Sequence, residues 1–495
     1  MIDEQQIRKI VESVVASVAG SSDGGLPKGT SGAIVSPAPA PKKPAVPSSA
    51  AGIRGNEGVF VRMEDAINAS KRAFDEFAHF GIRERERLIG IIRRVTLDYA
   101  EEFSRMTCEE TGMGNVRDKI LKHRNCSKNS PGTEDLVSRS WSGERGVCLE
   151  EYAPFGIIGA ITPSTHPVPT MVNNSIIMLA GGNTVIFNPH PGAKRVSAHA
   201  LQTFHRAIVA GGFPENLITC VENPTIETAN ILFNHPDVKL LSITGGPGVV
   251  KAAMATNKKV VAAGPGNPPV LVDETANVEK AAEDIIKGAS FDNNLLCIAE
   301  KEVFVVETVF DRFMMAMEKA GAVRIDDIHM NLLVEKAFIK SDKGGHVLNR
   351  ELVGKSAEYL GDLVKVNVPE GTRIIFGETT MDNLFVQEEQ MMPVIPVVRV
   401  RNFDEGLKRC LEAEHEYRHT AIIHSKDMDR ITKFARIMNT TIIVANGYST
   451  QGDGPDDGEA YMAFTIATPT GEGVTSPRNF CRIRRLAIAE SLRFV

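Results

Sequence analysis

The feature that most constrains this chain is an alternation. Short apolar runs recur at 156–162 (GIIGAIT), 183–188 (NTVIFN), 217–222 (LITCVE), 238–244 (VKLLSIT) and 258–263 (KKVVAA). Helix-length segments separate them at 167–180, 193–210, 225–234 and 247–256. Strands alternating with helices predict βαβ units and a doubly wound, mostly parallel sheet. Ligands of such sheets sit beyond the carboxyl ends of the strands. Three of those ends carry turn chemistry: ITPSTHP (161–167), FNPHPGAK (187–194) and ITGGPGVV (243–250). Gly245 and Gly246 before a helix would let the backbone approach a pyrophosphate. GxGxxG is absent, so this signal needs support from the rest of the chain.

A second α/β region follows. VEKAAEDIIKGASFDN (278–293) is predicted helical, with Ala281, Ala282, Ile285, Ile286 and Ala289 on one side, and EVFVVE (302–307) is a strand. MPVIPVVRV (392–400) and TAIIHS (420–425) are further strands. Upstream, Ala66, Ile67, Ser70, Ala73, Phe74 and Phe77 mark one helix; Leu88, Ile91, Ile92, Val95 and Tyr99 mark another. Cys297 falls on the connection SFDNNLLCIAE (290–300) between helix and strand. Cysteine is often a small buried filler. A loop between regular elements, however, is where catalytic residues concentrate.

Composition excludes several classes. A formal net charge of −6 leaves no basic excess for nucleic acid, and no run of about 18 apolar residues could span a membrane. The 7 cysteines form no CxxC pair, which fits a reduced protein without a disulfide framework or a cysteine zinc site. In residues 1–20, Ile7, Ile10, Val11, Val14, Val15 and Val18 form one apolar stripe at helical spacing, while scattered acids argue against a secretory or mitochondrial leader. Residues 21–55, rich in Gly, Ser, Pro and Ala, read as a linker. A short helix is marginal alone, so on a tether it reads as a partner-binding tail, although it could instead pack on its own domain. His415-Glu416-Tyr417-Arg418-His419 is a literal HExxH. A zinc site needs it inside a helix; here it ends one, directly before a strand, so no metal is expected.

Several segments together carry a resemblance. SFDNNLLCIAEK, GPGNPPVLVDETAN, ITPSTHP, ITGGPG, EETGMGN and ATPTGEGVTS resemble the CoA-acylating aldehyde dehydrogenases of bacterial microcompartments, from about residue 56 to the C-terminus. The tail is similar to their encapsulation peptides. The resemblance implies an aldehyde dehydrogenase-like fold. A Rossmann-type NAD/CoA-binding domain would occupy 56–262 and a catalytic domain 263–445, with a return and oligomerisation segment at 446–495. It implies that Cys297 attacks an aldehyde, propionaldehyde first among short-chain candidates, and that hydride passes to NAD. The cysteinyl thioester is then transferred to coenzyme A, in ping-pong order. Thr165 and His166 would belong to the catalytic centre, in the loop that helps form an oxyanion hole. Thr162 and Pro163 would line the nicotinamide; Asn188, Pro189, His190 and Pro191 the adenosine; Gly245, Gly246 and Val249 the pyrophosphate and adenine; Glu389 the nicotinamide ribose. Pro163 and Val249 could equally be turn and core residues. Expected partners are shell proteins, through residues 1–20, and a second or further copies of the chain as a homodimer or homotetramer. The expected location is the microcompartment lumen within the cytoplasm.

Hydrolytic relatives carry a glutamate that activates water; the equivalent position here is Ala263, in VVAAGPGNPP. Without that base, water attacks slowly, whereas a thiol is already nucleophilic. An acid from elsewhere in the chain could fill the role. Two departures from the family pattern stand out: His166 replaces an Asn in PSTNP, and 446–464 (NGYSTQGDGPDDGEAYMAF) is more acidic than its glycine-rich counterparts. Alternatives to the main reading are an acetaldehyde-specific acylating enzyme, a hydrolytic dehydrogenase, a shell component and a zinc peptidase.

Overall fold

The computed structural model describes residues 55–340, 344–454 and 458–492. The expected helix at 1–20, and the expected linker as far as residue 54, lie outside them. Six strands form the first sheet, in the order Val59–Phe60, Ile218–Val221, Thr184–Pro189, Ile157–Thr162, Val238–Thr244, Lys259–Ala263. Every pairing is parallel. Ile157–Thr162 and Thr184–Pro189 are buried throughout, as strands covered by helices on both faces must be. The chain adds strands on one side of Ile157–Thr162, then crosses to add Val238–Thr244 on the other. The switch point between these two strands, where a crevice opens in such sheets, sets Thr162 and Pro163 beside Gly245 and Gly246.

Helices fall where the alternation predicts: Pro167–Ala180, Lys194–Ala210, Ile226–Asn234 and Pro247–Met254. Pro167–Ala180 is buried at every position. Proline suits its first position, because the missing N–H would have had no helical partner.

The second sheet is also parallel, with seven strands in the order Val323–Arg324, Ile375–Thr379, Val394–Val400, Glu302–Val306, Pro269–Val272, Thr420–His424, Ile442–Ala445. One expectation is corrected here. The helix predicted over 278–293 is Val278–Ala289. Asp292, Asn293 and Asn294 then take left-handed backbone angles (φ 49°, 57° and 65°), so the helix cannot continue. Leu296, one residue before Cys297, packs against the cores of both sheets.

A third, antiparallel sheet places Gly146–Pro154 between Arg139–Gly143 and the C-terminal strand Cys481–Ala489. This strand, in the segment expected to serve oligomerisation, therefore pairs within its own chain. Its outer edge has no partner strand among the described residues, and Ile483, Leu486 and Trp141 of this sheet are exposed.

Candidate active site

The Cys297 loop is held from beneath by charges. Asp292 is fully buried. It receives Lys122 Nζ at 2.6 Å, Lys119 Nζ at 2.9 Å and the backbone N–H of Asn115 at 2.9 Å. Its own N–H donates to Asp118 Oδ2 at 2.9 Å, and Arg373 donates to the same oxygen at 2.9 Å. Burial alone would raise the Asp292 carboxyl, but Lys122 and Lys119 hold it below the ordinary range. The lysines project from the helix Val116–Asn129, whose N-terminus Asn115 caps by accepting from the Asp118 N–H. Gly114, just before the cap, is itself left-handed (φ 71°), and a Cβ there would lie on the Asp292 carboxylate. EETGMGN is thus the seat of the loop.

A third buried lysine holds the loop from the other side. Lys301 donates to Asn294 O at 3.1 Å, to Leu296 O at 3.2 Å and to Asn294 Oδ1. Its ammonium stands 3.9 Å from Glu389 Oε1. This ion pair joins the predicted ribose-binding carboxylate to the lysine that holds the cysteine loop.

Cys297 is half-buried and lines a cavity with Lys122, Asn125, His166, Asp453 and Phe464. Burial pushes its thiol up to about 12; the nearby Glu389 and Asp453 push the same way, and Lys301 opposes them. His166 Nδ1 lies 3.0 Å from Thr165 Oγ1 and its ring packs on Phe464, 5.2 Å between centroids. Burial, with Lys122 and Lys119 nearby, holds its imidazole well below the usual range, and so neutral. The three candidates Cys297, Thr165 and His166 therefore meet at one cavity, Thr165 through its contact with His166.

The candidate cofactor residues occupy the neighbouring strand ends. Thr162 Oγ1 is buried at the switch point without a partner among the described residues. Pro163 is half-buried. Asn188 Oδ1 accepts from Thr228 Oγ1 at 2.6 Å. Pro189 is buried, while His190 and Pro191 face outward, His190 Nδ1 accepting the Gly192 N–H at 3.1 Å. Gly246 starts the helix Pro247–Met254 with open space where a Cβ would stand. Gly245 next to it is half-buried, and Val249 packs partly into a core. An orphaned hydroxyl beside an uncrowded glycine turn suits a dinucleotide, whose phosphates need bare backbone N–H groups.

Ala263 ends its strand buried, with no carboxylate at that position. HExxH has no helix to stand on: Phe403–Glu414 stops before it, and His415, Glu416 and Arg418 are all left-handed. His415 pairs with the Gln387 carbonyl at 2.7 Å, and His419 and the Cys297 carbonyl each lie against Gly266. Sequence reasoning missed Asp292, Lys119, Lys122, Lys301 and Asp453.

The aldehyde dehydrogenase family model matches residues 58–455. The acetaldehyde dehydrogenase (acetylating) EutE of Salmonella typhimurium is 42% identical over 441 residues, covering 88% of this chain and 94% of that protein. A propionaldehyde dehydrogenase from Rhodopseudomonas palustris, solved with bound propionyl-CoA, is 45% identical with a TM-score of 0.85, covering 91% of this chain and 99% of that one. A propionaldehyde dehydrogenase from the fucose utilisation microcompartment of Clostridium phytofermentans is 44% identical with a TM-score of 0.86, covering 88% and 100%. The chain belongs to the aldehyde dehydrogenase family. Within it, the chain groups with the CoA-acylating aldehyde dehydrogenases.

Proposed function

We propose that the chain oxidises a short-chain aldehyde to its acyl-CoA, with propionaldehyde as the reference substrate and NAD and coenzyme A as cosubstrates. The observation that carries this reading is Cys297 in a largely apolar cavity, on an over-determined loop, with alanine at the position where a water-activating glutamate would stand. The Cys297 sulfur adds to the carbonyl carbon, and the backbone and His166 side of the cavity faces the developing oxyanion. Thr162, Pro163, Gly245, Gly246 and Val249 would hold NAD, which would supply the hydride acceptor. Asn188, Pro189, His190 and Pro191 hold its adenosine end, and Glu389 its nicotinamide ribose. The acyl group remains on sulfur until the CoA thiol displaces it. Phe291, Met462 and Phe464 keep the cavity largely apolar, which slows hydrolysis in the interval.

The same reading places the enzyme in a bacterial microcompartment lumen, held to shell proteins by residues 1–20, with 21–55 as tether and 56–262, 263–445 and 446–495 as working units. The exposed antiparallel sheet suits a homodimer or homotetramer. The deciding experiment supplies propionaldehyde, NAD and CoA and follows NADH. Formation must require CoA, and mass spectrometry without CoA must find an acyl adduct on Cys297. NADH formation at the same rate without CoA would instead mark a hydrolytic enzyme. Deleting residues 1–20 should leave turnover and abolish co-purification with shells.

A further inference from the structure

The cavity beside Cys297 has two unlike walls. Phe291, Met462 and Phe464 form an apolar one, suited to a short carbon chain. The polar side includes groups already engaged and groups that are not. Lys122 Nζ is committed to Asp292 at 2.6 Å, and His166 Nδ1 to Thr165 at 3.0 Å. Asn125 Oδ1, by contrast, is buried with no partner among the described residues. Asp453 is only 7% exposed. One of its oxygens accepts the Ala463 N–H at 3.1 Å; the other has no bond among the described residues.

A buried amide oxygen seldom stays unpaired. It needs a donor, and the Asp453 carboxyl, which lines the same cavity, can accept or, when protonated, donate. An unsubstituted alkyl chain supplies neither. A hydroxyl supplies both, without the charge that would set an ammonium group beside Lys122. On the reading that this cavity is where the aldehyde meets Cys297, we propose that the site is fitted to short aldehydes bearing a hydroxyl group. The hydroxyl donates to Asn125 Oδ1, is held from the other side by Asp453, and gives such aldehydes preference over the unsubstituted aldehyde of equal length.

The test compares propanal, 2-hydroxypropanal and 3-hydroxypropanal as sole aldehyde, with NAD and CoA saturating, through kcat/KM. At least one hydroxypropanal should exceed propanal about ten-fold or more, the scale of a site built around a hydroxyl. Asn125→Leu and Asp453→Leu should each cut that ratio at least about ten-fold, the change appearing in the aldehyde KM and not in the CoA KM. A wild-type ratio at or below one overturns the proposal and needs no variant to fold. So does a ratio that both variants leave intact, a loss confined to the CoA KM, which would assign the polar wall to the amide of the CoA arm, or a greater kcat/KM for 3-aminopropanal. If none of the aldehydes yields CoA-dependent NADH, the underlying assignment of the reaction fails instead.

Discussion

The two loops that meet at the crevice are built on opposite terms. The Cys297 loop is fixed by three consecutive left-handed non-glycine residues, two buried lysines on Asp292 from one side and Lys301 on its carbonyls from the other. The Gly245–Val249 turn has almost nothing around it: a Cβ on Gly246 would meet open space and one on Gly245 only ordinary contacts. Left-handed non-glycine residues persist only where the surroundings over-determine them, and they cluster at functional sites. A sulfur that must meet a carbonyl at bonding distance requires such a frame, since small misplacements cost large factors in rate. A turn that receives phosphates requires access instead, and its side chains are kept out of the way.

Breaking the cysteine loop should therefore cost far more than decorating the glycine turn. Cys297→Ala should lower CoA-dependent NADH formation at least about 10⁴-fold, the scale for loss of a nucleophile; a variant retaining a tenth of the activity would move the chemistry elsewhere. Asp292→Asn leaves Lys119 and Lys122 buried without their carboxylate, a loss of about 3–5 kcal/mol. Denaturant unfolding should register it, and in folded protein kcat should fall more than the aldehyde KM rises. Gly114→Ala comes next, at about 2–4 kcal/mol, since the added carbon meets the Asp292 carboxylate and φ is positive. Its melting temperature should drop by several degrees. An unchanged value would show that the seat of the loop yields easily.

The same contrast explains what was legible in the chain. Five of the six strands of the first sheet could be read almost to the residue because they are apolar on both faces and helices fill the gaps between turn signals; the two-residue edge strand Val59–Phe60 was missed. Pro167–Ala180 and Val238–Thr244 match the predicted bounds. The glycine turn and Cys297 were legible because each carries a local signature. The clamp was not. Lys119, Lys122 and Cys126 recur at helical spacing in VRDKILKHRNC, a pattern that normally marks a solvated face. Here that face is buried, because its counter-charge, Asp292, arrives from 170 residues further along the chain. Asp292 itself looked like the last turn of a helix. Only three-dimensional pairing distinguishes a buried charge from an exposed one, and Lys301, next to two glutamates in sequence, was hidden for the same reason. Ile375–Thr379 and Ile442–Ala445 were missed as strands; both are short, although Asn446-Gly447 marks a turn directly after the second.

Two smaller effects probe the comparison from the open side and from the sulfur itself. Gly246→Ala should leave stability within about 0.5 kcal/mol, as a substitution into free space does, while raising the KM for NAD about three- to ten-fold by crowding the backbone that phosphates approach. A drop in melting temperature would mean that this turn is as constrained as its neighbour. The smallest effect concerns ionisation. An ordinary thiol titrates near 8.5, but burial, then Glu389 and Asp453, push Cys297 up to about 12. In the protein without NAD, alkylation of the Cys297 peptide by iodoacetamide should therefore keep rising through pH 10 without a plateau. A carboxylate beside a thiol disfavours the thiolate, so removing its charge favours ionisation. Glu389→Gln should speed alkylation at pH 8 about two- to five-fold. A plateau near pH 8.5 in the unaltered protein, or slower alkylation in the variant, would show that the frame around this sulfur activates it before any substrate arrives.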